Sequence, residues 1–356
     1  LIAQALSGAT PTEVLKHGRA IANILADTAD TGVPAADDPS LNAVNTHTTD
    51  DVGVHMHVED QLAAVVGRQR CSQALLLLVA HRLGDRHLGD ADQQHGVGAL
   101  GLHGITVEEE FGGLGLGYLE HVVAQEEVAR ASASIGLSYG AHSNLCVNQI
   151  RRWGTPEQKT RYLPRLISGE HVGSLAMSEA GAGSDVMSMR TRAERKGDRY
   201  VLNGTKHYIS NAPIAGLLTV IAVTDPGKGP RGMSAFLVEP QDTPGVTIER
   251  MLPLFGEFDE PHGHGEVVFR DVRVPKENLI AGLGRGFEIA QGRLGPGRIH
   301  HCMRCLGAAE TVLDLMIRRG MARTAFGKPI LNLGGNRERV ADARIAIDQA
   351  RLLTLF

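Results

Sequence analysis

Leu175-Ala176-Met177-Ser178-Glu179-Ala180-Gly181-Ala182-Gly183-Ser184-Asp185 carries a short apolar strand into a glycine-rich loop. Glycines let a backbone approach a planar or phosphorylated ligand closely, and consecutive amides can donate to anionic oxygens. The stretch is not a dinucleotide fingerprint. Val186 stands where the third glycine of GxGxxG would fall, and no βαβ pattern surrounds it. By residue chemistry alone it is either a ligand-binding loop or an ordinary loop at a strand end.

The periodicity changes on either side of this loop. From Val172 onward it is that of short strands, with Arg199 to Leu202 and Thr205 to Ser210 flanking Asn203-Gly204, a strong hairpin signal. Leu217 to Val223, Met233 to Val238, Val246 to Arg250 and Glu266 to Val274 follow, separated by Pro and Gly. No long helical pattern intervenes, so an antiparallel sheet or small barrel is expected. Upstream, the loop 112–117 precedes a helix predicted from Tyr118 to Ala131. Leu119, Val122 and Val123 share one face of it, and Glu126 and Glu127 read as a solvated face or an inter-helix pair. Thr155-Pro156-Glu157-Gln158 opens a second helix with a capping box; it buries Tyr162, Leu163, Leu166 and Ile167 and stops at Ser168-Gly169. After Pro275, helices are predicted over Arg285 to Gln291, Ile299 to Thr324 and Arg337 to Leu355. The fold class expected is α+β. A helical segment at 101–171 leads to a central antiparallel β domain at 172–275, then to an incomplete C-terminal helical bundle at 276–356.

Composition bounds the rest. The 356 residues are 42% hydrophobic and 21% charged with net charge -4, which gives no electrostatic reason to expect nucleic acid or an anionic membrane as partner. The longest apolar run, Ala74 to Ala80, is far short of the roughly 20 residues that span a bilayer. Four irregular cysteines make no disulfide framework, and no charged-then-apolar leader opens the chain at Leu1. All 14 aromatic residues lie at or after Phe111, whereas eight of the 16 histidines lie between His17 and His103. Residues 1–98 therefore lack the largest core fillers. Two readings stay open for them, a divergent helical domain and foreign sequence, and in either case poor packing as an N-terminal helical domain is expected. His300, His301, Cys302 and Cys305 sit on one predicted helix and cannot close a tetrahedron around zinc, so no metal site is expected.

Resemblance adds to this reading. Ala176 to Asp185 is similar to the flavin-binding signature of acyl-CoA dehydrogenases, Ala-Met-Ser-Glu-Pro-x-Ala-Gly-Ser-Asp, with Ala180 in place of the proline. Ser138 to Cys146 (SYGAHSNLC), Tyr162-Leu163-Pro164 and Leu166 to Glu170 resemble the isovaleryl-CoA branch of that family. Asn203-Gly204-x-Lys206-x-Tyr208-Ile209-Ser210-Asn211 resembles the family segment that flanks the flavin ring. Arg323-x-x-Phe326-Gly327-Lys328-Pro329 is similar to the motif whose arginine reaches the FAD pyrophosphate of a neighbouring subunit. From Pro261 to Gly265 onward the chain resembles a different branch, in which Gly286 to Arg298 opens a helix along the acyl-CoA site.

The resemblance implies an acyl-CoA dehydrogenase fold and FAD-dependent α,β-dehydrogenation of an acyl-CoA thioester. It implies that Leu175, Ala176, Met177, Ser178, Gly183, Ser184, Tyr208, Ile209, Ser210, Arg323 and Phe326 hold FAD, with one continuous groove lined by Met177, Ser178, Gly183, Ser184 and Tyr208 to Ser210. Ser184, Gly295, Pro296, Gly297 and Arg298 would contact substrate, as His262 and His264 could. Electron-transfer flavoprotein is the implied electron acceptor and a homodimer or homotetramer the implied assembly. The implied location is the cytoplasm of a bacterium or the mitochondrial matrix of a eukaryote. The catalytic base is not visible: Gly297 occupies the slot of the isovaleryl branch's glutamate, and other branches place their carboxylate in a helical segment beyond Phe356. An inactive fragment or hybrid that keeps the fold is therefore the alternative reading, ahead of a non-enzymatic acyl-CoA- or metal-binding module.

Overall fold

The computed structural model describes residues 96–258, 260 and 262–355, so most of the segment 1–98 lies outside the described residues. Helices α1 (Tyr118–Ala131), α2 (Ala133–His142), α3 (Asn148–Trp153) and α4 (Pro156–Ile167) come first, with a single π turn, Ser143–Val147, joining α2 to α3. Eight strands follow: β1 (Val172–Ala176), β2 (Arg192–Lys196), β3 (Arg199–Ser210), β4 (Ala215–Val223), β5 (Met233–Val238), β6 (Val246–Met251), β7 (His264–Pro275) and β8 (Leu279–Ile280). The chain then forms α5 (Gly286–Ala322), the two-residue strands β9 (Thr324–Ala325) and β10 (Lys328–Pro329), and α6 (Gly334–Leu355). No helix among the described residues is long and apolar enough to cross a membrane.

The strands build one sheet in the order β6-β7-β3-β2-β4-β5-β8, with β1 also pairing with β4. Most pairings are antiparallel, but β1 runs parallel to β4, with Ala176 opposite Val220, and β2 meets β4 in parallel at a single pair. Strand β4 explains its own position. Leu217 and Ile221 face the helices while Leu218, Val220 and Ala222 face the other side, so the strand is apolar on both faces and must be central. The sheet also curls, since the rings of Tyr200 on β3 and Phe236 on β5 stand 5.0 Å apart although two strands separate them.

The Asn203-Gly204 hairpin is corrected by the structure. β3 runs straight through these residues, and the tight turn is at Gly197-Asp198, where Lys196 pairs with Arg199. Asn203-Gly204 is instead a bulge at which the register against β7 shifts. The Asn203 side chain accepts from Asp271 N at 2.8 Å and donates to Asp271 Oδ1 at 3.2 Å, holding the bulge to β7. Gly204 has φ +151°, and a β-carbon there would stand 2.6 Å from Thr191 Cα. The two helices predicted around Gly292 to Gly297 are likewise one helix, α5, which continues through Pro296 because packing against α1 and α6 outweighs the local propensity.

Helices and sheet are joined through His142. Its Nε2 donates to Leu166 O on α4 at 2.9 Å, and its Nδ1 accepts from Gly173 N on β1 at 2.7 Å, which fixes a neutral ring. The Thr155 capping box forms as expected, and the Gln158 side chain also donates to Glu277 O and Leu279 O, tying α4 to β8. Glu126 and Glu127 are buried rather than solvated. Arg351 on α6 pairs with Glu126 at 2.6 Å, and Glu310 on α5 accepts from Arg344 and Arg351. Burial alone would raise the Glu310 carboxyl, but those two arginines bring it down to about 2. Glu127, buried beside Glu126, is pushed up to about 8.

Two outcomes follow from this packing. Gly204→Ala should lower the unfolding free energy in urea by about 1–3 kcal/mol, from overpacking and positive φ together, whereas Gly183→Ala, with open space around it, should change it little. Burial lowers the pKa of His142 and of His121 to about 4. An unfolded histidine takes up its proton near 6.5, so these two groups make the unfolded chain bind more protons between pH 6.5 and 4, and their contribution to stability is lost as pH falls through that window. Glu127 acts in the opposite sense above its ordinary carboxyl range. The difference between variants isolates the histidine: in His142→Asn the slope of stability against pH between 6.5 and 4 should be shallower by roughly 1 kcal/mol per pH unit.

Candidate active site

The ends of β1 and β3 meet beneath α2 and α5 and enclose a cavity of about 170 Å³. Leu175, Met177 and Ser178 supply one edge, Tyr208, Ile209 and Ser210 a second, and Ala141, Leu145 and Arg293 the helical wall. The position of Met177 and Ser178 follows from a buried charge. Lys206 is fully buried, and its Nζ donates to Met177 O at 2.9 Å and to Glu179 Oε1 at 2.9 Å. Glu179 in turn accepts from Arg190 N at 2.7 Å and Thr191 N at 2.9 Å, so the loop after β1 is closed by one carboxylate. Burial pulls the Lys206 ammonium down to about 8 against the attraction of Glu179. For Glu179 burial acts upward, but Lys206 and these hydrogen bonds hold its carboxyl below the usual range. Backbone pairing completes the junction, His207 N donating to Ser178 O at 2.9 Å.

At the β3 edge the chain leaves regular geometry. Tyr208 has φ +56° and Asn211 φ +64°, conformations a non-glycine residue holds only when its surroundings impose them. Asn211 is gripped by Ser138 through two hydrogen bonds, Ser138 Oγ to Oδ1 at 2.8 Å and Nδ2 to Ser138 O at 3.0 Å, and its own N–H reaches Gly263 O. Ser210 Oγ lies 3.0 Å from His264 Nδ1. These contacts leave Tyr208 half exposed over the cavity, with Ile209 packed into the sheet.

The residues singled out in the sequence separate into groups. Leu175, Met177, Ser178, Tyr208, Ile209 and Ser210 are brought together; Ala176 points to the opposite face of the sheet, into the Leu218 and Val220 cluster. Gly183 and Ser184 are not among the residues lining this cavity. They are exposed, in the loop just after the Glu179 and Ala182 bridge. Gly297 is buried on α5, and the Tyr118 hydroxyl donates to Pro296 O at 2.7 Å and lies 3.3 Å from Asn144 Oδ1. Gly295 and Arg298 are exposed, and Arg323 and Phe326 are exposed just past the end of α5. His262 is buried with Nε2 3.2 Å from Ser134 Oγ, so it faces α2. Of the four zinc-like residues, His300 is buried against His121 and Tyr139, whereas Cys302 and Cys305 are exposed.

Sequence models of three domains match the chain in order: the acyl-CoA dehydrogenase N-terminal domain over residues 70–170, the middle domain over 174–272 and the C-terminal domain over 284–356. The chain belongs to the acyl-CoA dehydrogenase family. It is 44% identical over 255 residues to the mitochondrial isovaleryl-CoA dehydrogenase of Solanum tuberosum, a stretch that is 72% of this chain and 61% of that protein. The chain thus spans under two thirds of that relative's length. The solved butyryl-CoA dehydrogenase of Megasphaera elsdenii superposes with a TM-score of 0.75 at 32% identity, over 80% of this chain and 77% of that one. A structure described as PigA with FAD and proline gives 0.73 at 28% identity, over 80% and 76%. The N-terminal match begins at residue 70, inside the segment whose reading the sequence left open.

Three features of the site were missed in the sequence: the buried role of Lys206, Arg293 in the cavity wall, and Ala141 and Leu145 above it. The motif spacing around Lys206 was visible, but a lysine in a strand reads as solvent-facing. Lys206→Met should cost about 3–5 kcal/mol in chemical denaturation, because it leaves the part-buried Glu179 carboxylate without its counter-charge. The double variant Lys206→Met with Glu179→Gln should recover part of that loss.

Proposed function

We propose that the chain catalyses FAD-dependent α,β-dehydrogenation of an acyl-CoA thioester, taking the α proton as H⁺ and the β hydrogen as hydride. The observation that carries this reading is the cavity in which Met177, Ser178, Tyr208, Ile209 and Ser210 gather beneath α2 and α5. Its chemistry suits a flat ring with a polar edge: Leu175, Met177 and Ile209 are apolar, and the Ser178 and Ser210 hydroxyls and Arg293 stand at the margins. FAD, when bound there, supplies the hydride acceptor.

The residues of the chain do the remaining work. Lys206 and Glu179 hold Met177 O and the loop after it, so the β1 edge is preorganised. Asn211, locked to Ser138, fixes the turn that presents Tyr208 and Ser210. Gly183 and Ser184, with Arg323 and Phe326, are assigned to the outer parts of the cofactor, and Ser184 and Gly295 to Arg298 to the substrate. The α proton needs a carboxylate within hydrogen-bond reach. None of the residues lining the cavity is acidic, and Gly297 occupies the slot of the isovaleryl branch's glutamate. That glycine favours a second reading, a fold that binds ligand without turnover. Electron-transfer flavoprotein as acceptor, assembly as a homodimer or homotetramer, and a mitochondrial-matrix or bacterial cytoplasmic location belong to the same proposal.

Gly297 is also where the proposal is tested. A β-carbon there would lie 3.5 Å from Asn144 Nδ2, an ordinary contact, so a side chain can start without a clash. Purified protein should be yellow with an absorption band in the blue. In a dye-reduction assay with isovaleryl-CoA, Gly297→Glu should exceed the parent by about 10²-fold or more, the contribution of a positioned base. Colourless protein that takes up no added FAD sinks the dehydrogenase reading. Equal, substantial turnover by both proteins would place the base at another residue.

A further inference from the structure

Among the residues lining the cavity, Arg293 is the one with a permanent charge, and nothing among the described residues neutralises it. Its Nε is buried without a hydrogen-bond partner. Its own helix offers no counter-charge. The positions one turn away are Ile289, Ala290, Pro296 and Gly297, and Glu288 is already bound twice by Arg285, at 2.7 and 2.8 Å. The facing elements do not supply one either: β1 and the residues just after it contribute Leu175, Met177 and Ser178, β3 contributes Tyr208, Ile209 and Ser210, and α2 with the π turn contributes Ala141 and Leu145. Arg293 is half-buried, so its guanidinium is partly withdrawn from water with no protein counter-charge, and that burial weakens its hold on its proton. Such a group is retained where a partner arrives from outside, and a planar fork of donors selects phosphate or carboxylate oxygens.

We propose that Arg293 is the anion-pairing residue of this cavity, receiving a phosphate or carboxylate group of the bound ligand. The proposal rests on the cavity being the ligand site described above. The anion has two sources: the phosphates of FAD or coenzyme A, or a carboxylate at the end of the acyl chain. The second source would make the protein selective for acyl groups with a charged end.

Arg293→Met keeps much of the bulk without charge, and Arg293→Lys keeps charge without the fork. Calorimetric titrations with FAD, coenzyme A, butyryl-CoA and glutaryl-CoA separate the sources. Loss of the guanidinium should weaken the paired ligand by about 10- to 100-fold, the range of a charge-assisted hydrogen bond, with lysine intermediate. A loss confined to FAD assigns the cofactor phosphates. An equal loss for coenzyme A and both thioesters assigns the coenzyme phosphates, and a loss for glutaryl-CoA alone assigns the acyl carboxylate. Inorganic pyrophosphate, read by thermal unfolding, tests the anion site independently of any turnover. If it stabilises the parent but not Arg293→Met while FAD and the thioesters fail to bind the parent, the anion site stands and the dehydrogenase reading falls. If all ligands bind Arg293→Met within about twofold of the parent and pyrophosphate stabilises both equally, the proposal is overturned.

Discussion

The ammonium group of Lys206 is the constraint on which the site depends. A lysine with no exposure to water must find anionic and carbonyl oxygens inside the protein, and here they are Glu179 Oε1 and Met177 O. Satisfying it fixes the end of β1 and folds the following loop back so that Glu179 also takes the amides of Arg190 and Thr191. The edge that Met177 and Ser178 present to the cavity is thereby set before any ligand arrives. An apolar residue at 206 could fill the same volume, but it would remove the counter-charge of Glu179 and the donor to Met177 O.

The helical half is held by a comparable device. Arg351 and Arg344 on α6 converge on Glu126 of α1 and Glu310 of α5. Three helices whose shared apolar contact is limited to Val122, Met303, Leu306, Leu313 and Ile347 with a few flanking residues are thus tied by charge. His142 then joins α2 and α4 to β1 through both ring nitrogens. The two walls of the cavity, strand ends below and α2 with α5 above, are thus held by different chemistry. Arg293, half-buried in the cavity wall, is set apart because the buried cations Lys206 and Arg351 both have protein partners.

Much of the architecture was legible because it rests on local rules. The Thr155-Pro156-Gln158 cap, the bounds of α1 and the strands after Val172 follow from residue preferences and periodicity within a few positions. What failed did so where a distant partner overrode the local signal. Asn203-Gly204 carries the dipeptide of a tight hairpin, yet the cross-strand hold of Asn203 on Asp271 makes it a bulge and moves the turn to Gly197-Asp198. The extra residue lies on β7, where Val272 to Phe269 spans three steps against two on β3 from Leu202 to Gly204. β3 therefore keeps its alternation, Lys206 standing opposite Val267 as Leu202 stands opposite Val272, and its long side chain reaches Met177 O and Glu179.

The sequence by itself determined the class of fold, the family, and the two segments, Leu175 to Ser178 and Tyr208 to Ser210, whose residues form the strand edges of the site. Short-range chemistry and ordered motifs are properties of neighbours along the chain, and a sequence displays them directly. Only the tertiary structure decided that Lys206 is buried, that Glu126 pairs with Arg351 across 225 positions, and that Arg293 enters the cavity wall. Each of these turns on whether a charged or polar group meets its partner from a remote element or stays in water. That balance of desolvation against pairing is set by distances in space, which spacing along the chain does not encode.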